Sequence, residues 1–134
     1  QRLASTKKMP NMWGTTAGGA QKGDSSLTGA MRELKEELGI DARKEEMVFI
    51  GSYKRINDFV EVWLCKKNVK IDNLVLETTE VQDAKWVKVN EFEQMINNHE
   101  GINSGFDIFK MYYNEFYGKH LEIIGGKPVL VKDE

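Results

Sequence analysis

Hydrophobic and polar positions divide the chain into a few segments of different period. Leu27, Met31, Leu34 and Leu38 recur at steps of four, three and four, which lays one apolar stripe along a helix. Ser25 or Ser26 stands where such a helix takes its N-terminal cap, and Gly39 where one commonly ends. Beyond it the period falls to two. "MVFIGSYKR" (47–55) and "DFVEVWLCKK" (58–67) flank a short polar link, which predicts a hairpin. A strand is expected around 84–89, after an ill-defined loop, followed by a short helix capped by Asn90. Phe106, Ile108, Phe109, Met111, Tyr112 and Phe116 form a broad apolar face, predicting a longer helix over about 106–119. The closing "LEIIGGKPVLV" (121–131) sets two apolar runs around Gly125-Gly126, a hairpin signature. Ahead of the first helix, 3–13 reads as loop, with Pro10 opposing helix. "GTTAGGAQKGD" reads as a loop needing unusual backbone angles.

Length and composition narrow the class. At 134 residues the chain is expected to form one domain, 1–134. Such a domain buries about two thirds of its unfolded surface. The 19 basic and 21 acidic residues nearly cancel, leaving −2. That balance argues against a nucleic-acid-coating protein, which shows a basic excess. No apolar run approaches the roughly 18 residues of a membrane helix, so no membrane partner is expected. Cys65 is the single cysteine, so neither an internal disulfide nor a cysteine-rich zinc site can form. It falls in an alternating stretch and reads as a strand residue in or near the core. A lone thiol suits a reducing compartment, and a cytoplasmic location is expected. The chain opens on Gln1, in a segment resembling the end of a strand, so residues upstream are expected to be missing.

Charge is unevenly placed within the first helix. Glu33, Glu36 and Glu37 fall within five residues. At 3.6 residues per turn Glu33 and Glu37 lie about 40° apart around the axis, opposite the apolar stripe. Like charges so close repel and raise one another's pKa. Oxygen clusters of this kind suit a hard divalent cation, which takes carboxylates, water and substrate phosphate. A solvated acidic helix face with Lys35 nearby gives the same spacing, and both readings stay open on these residues alone.

The wider stretch is more specific. It runs Gly18, five residues, Asp24, seven residues, Arg32-Glu33-Leu34, one residue, Glu36-Glu37, one residue, Gly39-Ile40. This resembles the Nudix box of the Nudix hydrolases over 18–40, departing from it at Asp24, where the family pattern has glutamate. The approach "PNMWGTTAGG" and the order of later elements are also similar to that family. The resemblance implies an α/β fold, an α/β/α sandwich with a mixed β-sheet, whose N-terminal strand or strands are missing from this chain. It implies a cofactor, Mg²⁺ or Mn²⁺, and water attack on phosphorus in a nucleoside diphosphate linked to another moiety or a similar organic diphosphate. Glu33, Glu36 and Glu37 are then the metal-binding face, with Gly18 offering a backbone carbonyl. Glu33 or Glu37 assists deprotonation of the water, and Arg32 holds the carboxylates in place. Asp24 keeps the charge of the expected glutamate with a shorter reach and would brace the site through a bridging water.

Other residues give weaker indications. Glu80 is the candidate for a further metal ligand, with Glu77 behind it. Arg2, Lys7 and Lys8 could meet substrate phosphates. Trp13 could stack on a base, against the plainer reading that it packs beneath the box helix. His99 and His120 show no metal-ligand spacing and receive no role. "MWGTTAGG" resembles the branch of the family similar to isopentenyl-diphosphate isomerases, yet those enzymes need a cysteine where this chain reads Thr15-Thr16-Ala17. Hydrolase is therefore preferred to isomerase. A non-catalytic nucleotide-binding sensor is the other alternative, supported by Asp24 alone. The proline that marks ADP-ribose cleavage in some members, about fifteen residues past the box, does not occur. The tyrosine that marks diadenosine-polyphosphate cleavage is not in place either, so the substrate stays unnamed. Absent N-terminal strands would leave a sheet edge open. The C-terminal hairpin is expected to cover that edge, in this chain or in the neighbouring copy of a homodimer.

Overall fold

The computed structural model describes residues 1–16 and 23–133. Its first helix, α1 (Ser26–Leu38), is capped reciprocally at Ser25: the Ser25 hydroxyl accepts the Thr28 amide at 3.2 Å and the Thr28 hydroxyl accepts the Ser25 amide at 2.9 Å. Two otherwise unpaired amides are thereby satisfied. At the other end Gly39 turns left-handed with φ 70°, and its amide donates to Lys35 at 3.0 Å. A Cβ at Gly39 would sit 2.8 Å from the Val75 Cβ, so both the turn and the packing demand glycine.

Strands β1 (Met47–Lys54) and β2 (Phe59–Cys65) form the expected antiparallel hairpin. The register slips between Phe49 and Gly51, a bulge. There Gly51 lets the last long helix approach: a Cβ would meet Ile108 at 2.8 Å. Alternation sorts the two faces. Trp63 donates its indole N–H to Ser26 of α1 at 2.6 Å and meets Phe49 edge-on at 5.3 Å. Val62, one position back, lies against Gly105, which precedes α3 (Phe106–Phe116). The hairpin is thus held between α1 and α3, giving a mixed α/β architecture. Phe106 is buried, edge-on to Phe92 of α2 (Val89–Asn97), and Met47 is the other buried apolar side chain among the described residues.

Several elements differ from expectation. Residues 84–89 form no strand: Val81 bridges Arg2, then the chain runs irregularly into α2, which takes in Val89. Lacking a neighbour to pair with, an alternating apolar run does not become a strand. Lys88, not Asn90, occupies the cap of α2 and makes no side-chain cap bond. The last helix stops at Phe116, because Tyr117 is extended and Gly118 has φ 69°. The closing hairpin, β3 (Lys119–Ile124) and β4 (Lys127–Lys132), turns through Gly125 and Gly126, both with positive φ, as a tight two-residue turn requires. Among the described residues it pairs only with itself, so the idea that it covers the edge of the other sheet within this chain is not upheld. All strand pairing is antiparallel; parallel pairing appears only at the isolated Trp13–Gly101 bridge among the described residues. No helix among them is long and apolar enough to cross a membrane.

Candidate active site

One guanidinium organises the carboxylates of α1. Arg32 Nη1 donates to Glu33 at 3.0 Å and to Glu36, one turn on, at 3.1 Å. Its Nη2 and Nε both reach Asp24 Oδ2, at 3.1 and 3.3 Å. The Glu36 contact is the i,i+4 pairing that helical spacing permits. The Asp24 contact spans eight residues and does not follow from that spacing. Burial pulls the Arg32 guanidinium down, but hydrogen bonds to Asp24 and Glu36 hold it above its ordinary value.

Glu37 differs from its neighbours. It is the buried charged residue of the described structure, 7 % exposed, whereas the Glu36 side chain is 53 % exposed. Burial, a hydrogen bond with Glu33, and the charges of Glu33, Glu80 and Glu36 push its carboxyl up to about 7. A carboxylate among carboxylates in a desolvated place is relieved either by a proton or by a cation.

The segment that carries Glu80 is tied to the end of α1 by backbone bonding. The C-terminal carbonyls of a helix need partners, and here Glu77 N–H donates to the Glu37 carbonyl and Val75 N–H to that of Leu38, both at 2.9 Å. Amides of Glu80 and Val81 then fold back onto the Glu77 carbonyl, at 3.0 and 2.8 Å. The Glu77 carboxylate itself is taken by the Thr79 hydroxyl at 2.8 Å. Arg2 lies beside this segment through its bridge to Val81. Lys7 and Lys8 are exposed on a bend, and no described contact joins them to α1. Gly18 lies outside the described residues.

The donor set is all oxygen. Among the described residues no three acidic, histidine or cysteine side chains converge closely enough to enclose a metal unaided. Oxygen donors are the type that hard divalent cations take, with water and phosphate oxygens completing the shell. Cys65, on β2, is half-buried, and burial with the nearby Glu46 charge raises its thiol, so it is a poor nucleophile.

Comparison with known proteins bears on the same residues. A family profile described as the NUDIX domain matches residues 1–106. An uncharacterised Nudix hydrolase of Listeria innocua is 38% identical over 96 residues, covering 69% of this chain and 56% of its own length. Nudix hydrolase 5 of Arabidopsis thaliana is 30% identical over 113 residues, 80% of this chain and 35% of its own. Nudix hydrolase 3 of the same plant is 28% identical over 128 residues, 86% of this chain and 16% of its own. The chain spans about half the length of the bacterial relatives it matches. No solved structure matches it significantly.

Proposed function

The chain belongs to the Nudix family, and on that premise we propose that it hydrolyses a diphosphate linkage in a small organic molecule. The observation that carries the proposal is the buried Glu37, crowded by Glu33, Glu36 and Glu80 on a face that Arg32 braces. Glu37, with one of Glu33, Glu36 and Glu80 beside it, would hold a divalent cation, Mg²⁺ or Mn²⁺, and water and substrate oxygens would complete its shell. Such an ion would polarise phosphoryl oxygens and lower the pKa of bound water. The protein's own part is positional. Arg32 ties three carboxylates into one arrangement, and the capped start and left-handed end of α1 set the turn that carries them. Glu33 or Glu37 would accept the proton of the attacking water. The water oxygen forms a bond to phosphorus, the bridging P–O bond breaks, and two phosphate-bearing products leave.

The sensor alternative rests on Asp24. Its carboxylate already makes two contacts to Arg32, which supports a braced site despite the shorter side chain. The isomerase alternative lacks a nucleophile in place, since Cys65 lies within β2 and its thiol is raised. The deciding experiment is phosphate release from a panel of nucleoside diphosphate-linked and other organic diphosphates, with Mg²⁺ or Mn²⁺ and phosphatase coupling. Metal-dependent release from at least one compound is expected. No release from any, with isomerisation of isopentenyl diphosphate or binding without turnover, would replace the hydrolase reading by one of the others.

A further inference from the structure

The two faces of the β1–β2 hairpin carry different neighbours. Trp63 of β2 reaches Ser26 of α1, whereas Val62 lies against Gly105 on the α3 side. Leu64 shares the Val62 face by strand alternation. It lines an open groove of about 780 Å³, together with the second half of α3, the approach to α2 and the start of β3. That volume is in the range of small-molecule sites. The groove therefore opens across the hairpin from α1. Two features of its lining point to a ligand. Tyr113 and Tyr117, one helical turn apart, stack with ring centres 4.4 Å apart and planes 22° from parallel. Tyr117 is 69 % exposed, so the stack is open to a further planar ring. Lys66, Lys88 and Lys119 line the same groove, brought there by three separate parts of the chain. Among the described residues none of the three is engaged in an ion pair. The acidic side chain that lines the groove with them, Asp133, is held by His120 Nδ1 at 2.5 Å.

We propose that this groove binds a mononucleotide, with its base stacked on Tyr117 and its phosphate among Lys66, Lys88 and Lys119. A flat pair of rings suits a base better than an alkyl chain. Three uncommitted ammonium groups suit a phosphate dianion better than a single carboxylate. The site goes beyond the hydrolase reading and does not depend on it, since no residue of α1 lines the groove. Recognition here is of ring and charge together, so neither part alone suffices. The sequence does not reveal the arrangement, because its lysines are spread from Lys66 to Lys119 and its tyrosines read only as the apolar face of a helix.

The test is calorimetric titration of adenosine 5′-monophosphate into the full chain at low salt, without divalent cation, so that no metal draws the phosphate to the carboxylates of α1. Saturable binding is expected. Adenosine, which lacks the charge, and inorganic phosphate, which lacks the ring, should each bind at least about tenfold more weakly. Tyr117→Ala should weaken nucleotide binding roughly tenfold, and Tyr117→Phe should retain it. Lys88→Met combined with Lys119→Met should also weaken it roughly tenfold, while Glu37→Gln should bind as the wild type does. If Tyr117→Ala shifts the melting curve, the lysine variant decides. No binding by the wild type, equal binding of inorganic phosphate, undiminished binding by the tyrosine and lysine variants, or loss of binding in Glu37→Gln overturns the proposal. So does a groove that binds no nucleotide but whose variants change the sedimentation coefficient, which would make it a contact between copies. Phosphate release from the diphosphate panel is measured separately, so either reading can fail while the other stands.

Discussion

Asp24 and Glu37 mark two different demands on a carboxylate. Asp24 must reach an arginine, and it does so with two contacts to one oxygen. Extending it to glutamate adds reach that the geometry does not need. Asp24→Glu should therefore change kcat/KM by less than about threefold, whereas Asp24→Asn, which loses the charge-assisted contact, should lower it roughly tenfold. Steady-state kinetics on the best diphosphate substrate separates these outcomes; equal losses in both variants would contradict the bracing role. Glu37 must instead carry charge where charge is costly. Glu37→Gln keeps the shape and removes the charge, so activity should fall by roughly 10²- to 10⁴-fold. The same variant should lose the rise in melting temperature that Mn²⁺ gives the wild type. A retained metal-induced rise would show that the ion binds elsewhere.

At the scale of elements, the ends matter more than the middles. The left-handed Gly39 both terminates α1 and admits Val75, whose amide satisfies the Leu38 carbonyl. Gly39→Ala should cost about 2 kcal/mol through backbone strain and displacement of Val75. It should also lower activity, because the displaced segment carries Glu80. A urea denaturation midpoint equal to that of the wild type would refute this. The closing hairpin has a different lock. His120 Nε2 meets Glu122 at 2.8 Å and Nδ1 meets Asp133 at 2.5 Å, and only the doubly protonated ring donates at both nitrogens. Glu122 and Asp133 accordingly hold the imidazole above its ordinary value. A raised folded-state value means the contribution is complete below the unfolded imidazole pKa and disappears as pH rises through the folded one. Amide exchange in 119–132 should accelerate over that upper range, following the His120 ring shifts by NMR. His120→Gln should abolish the pH dependence.

At the largest scale, several large apolar side chains are exposed among the described residues. Phe59 is 70 % exposed, Trp86 66 %, Leu121 67 % and Ile123 73 %. Cross-strand pairing sets Leu121 opposite Leu130 and Ile123 opposite Pro128, so one face of the β3–β4 hairpin is apolar. A lone two-stranded ribbon is marginal in water, and an apolar patch of this kind promotes association. Sedimentation velocity should show concentration-dependent self-association that Ile123→Lys suppresses without shifting the melting temperature. A monomer at every concentration would count against it. The open surface also explains why some expectations from sequence were not met. An alternating run such as 84–89 states that one face wants burial, but it becomes a strand only where another strand offers hydrogen bonds.

The amino-acid order alone determined what depends on near neighbours. Helical period and a serine cap specify α1, alternating runs specify the first hairpin and apolar runs around Gly125-Gly126 the second, and the spacing of Arg32, Glu33, Glu36 and Glu37 puts these residues on neighbouring turns. Each follows from rules that act over a few residues. Tertiary structure alone decided which carboxylate is buried, that Val75 and Glu77 bond the helix-end carbonyls of Leu38 and Glu37, and that Lys85 lies over Trp13. It also decided that the final hairpin stands apart from β1 and β2. Those facts depend on contacts between distant residues and on local exclusion of water, neither of which the order of residues specifies by itself.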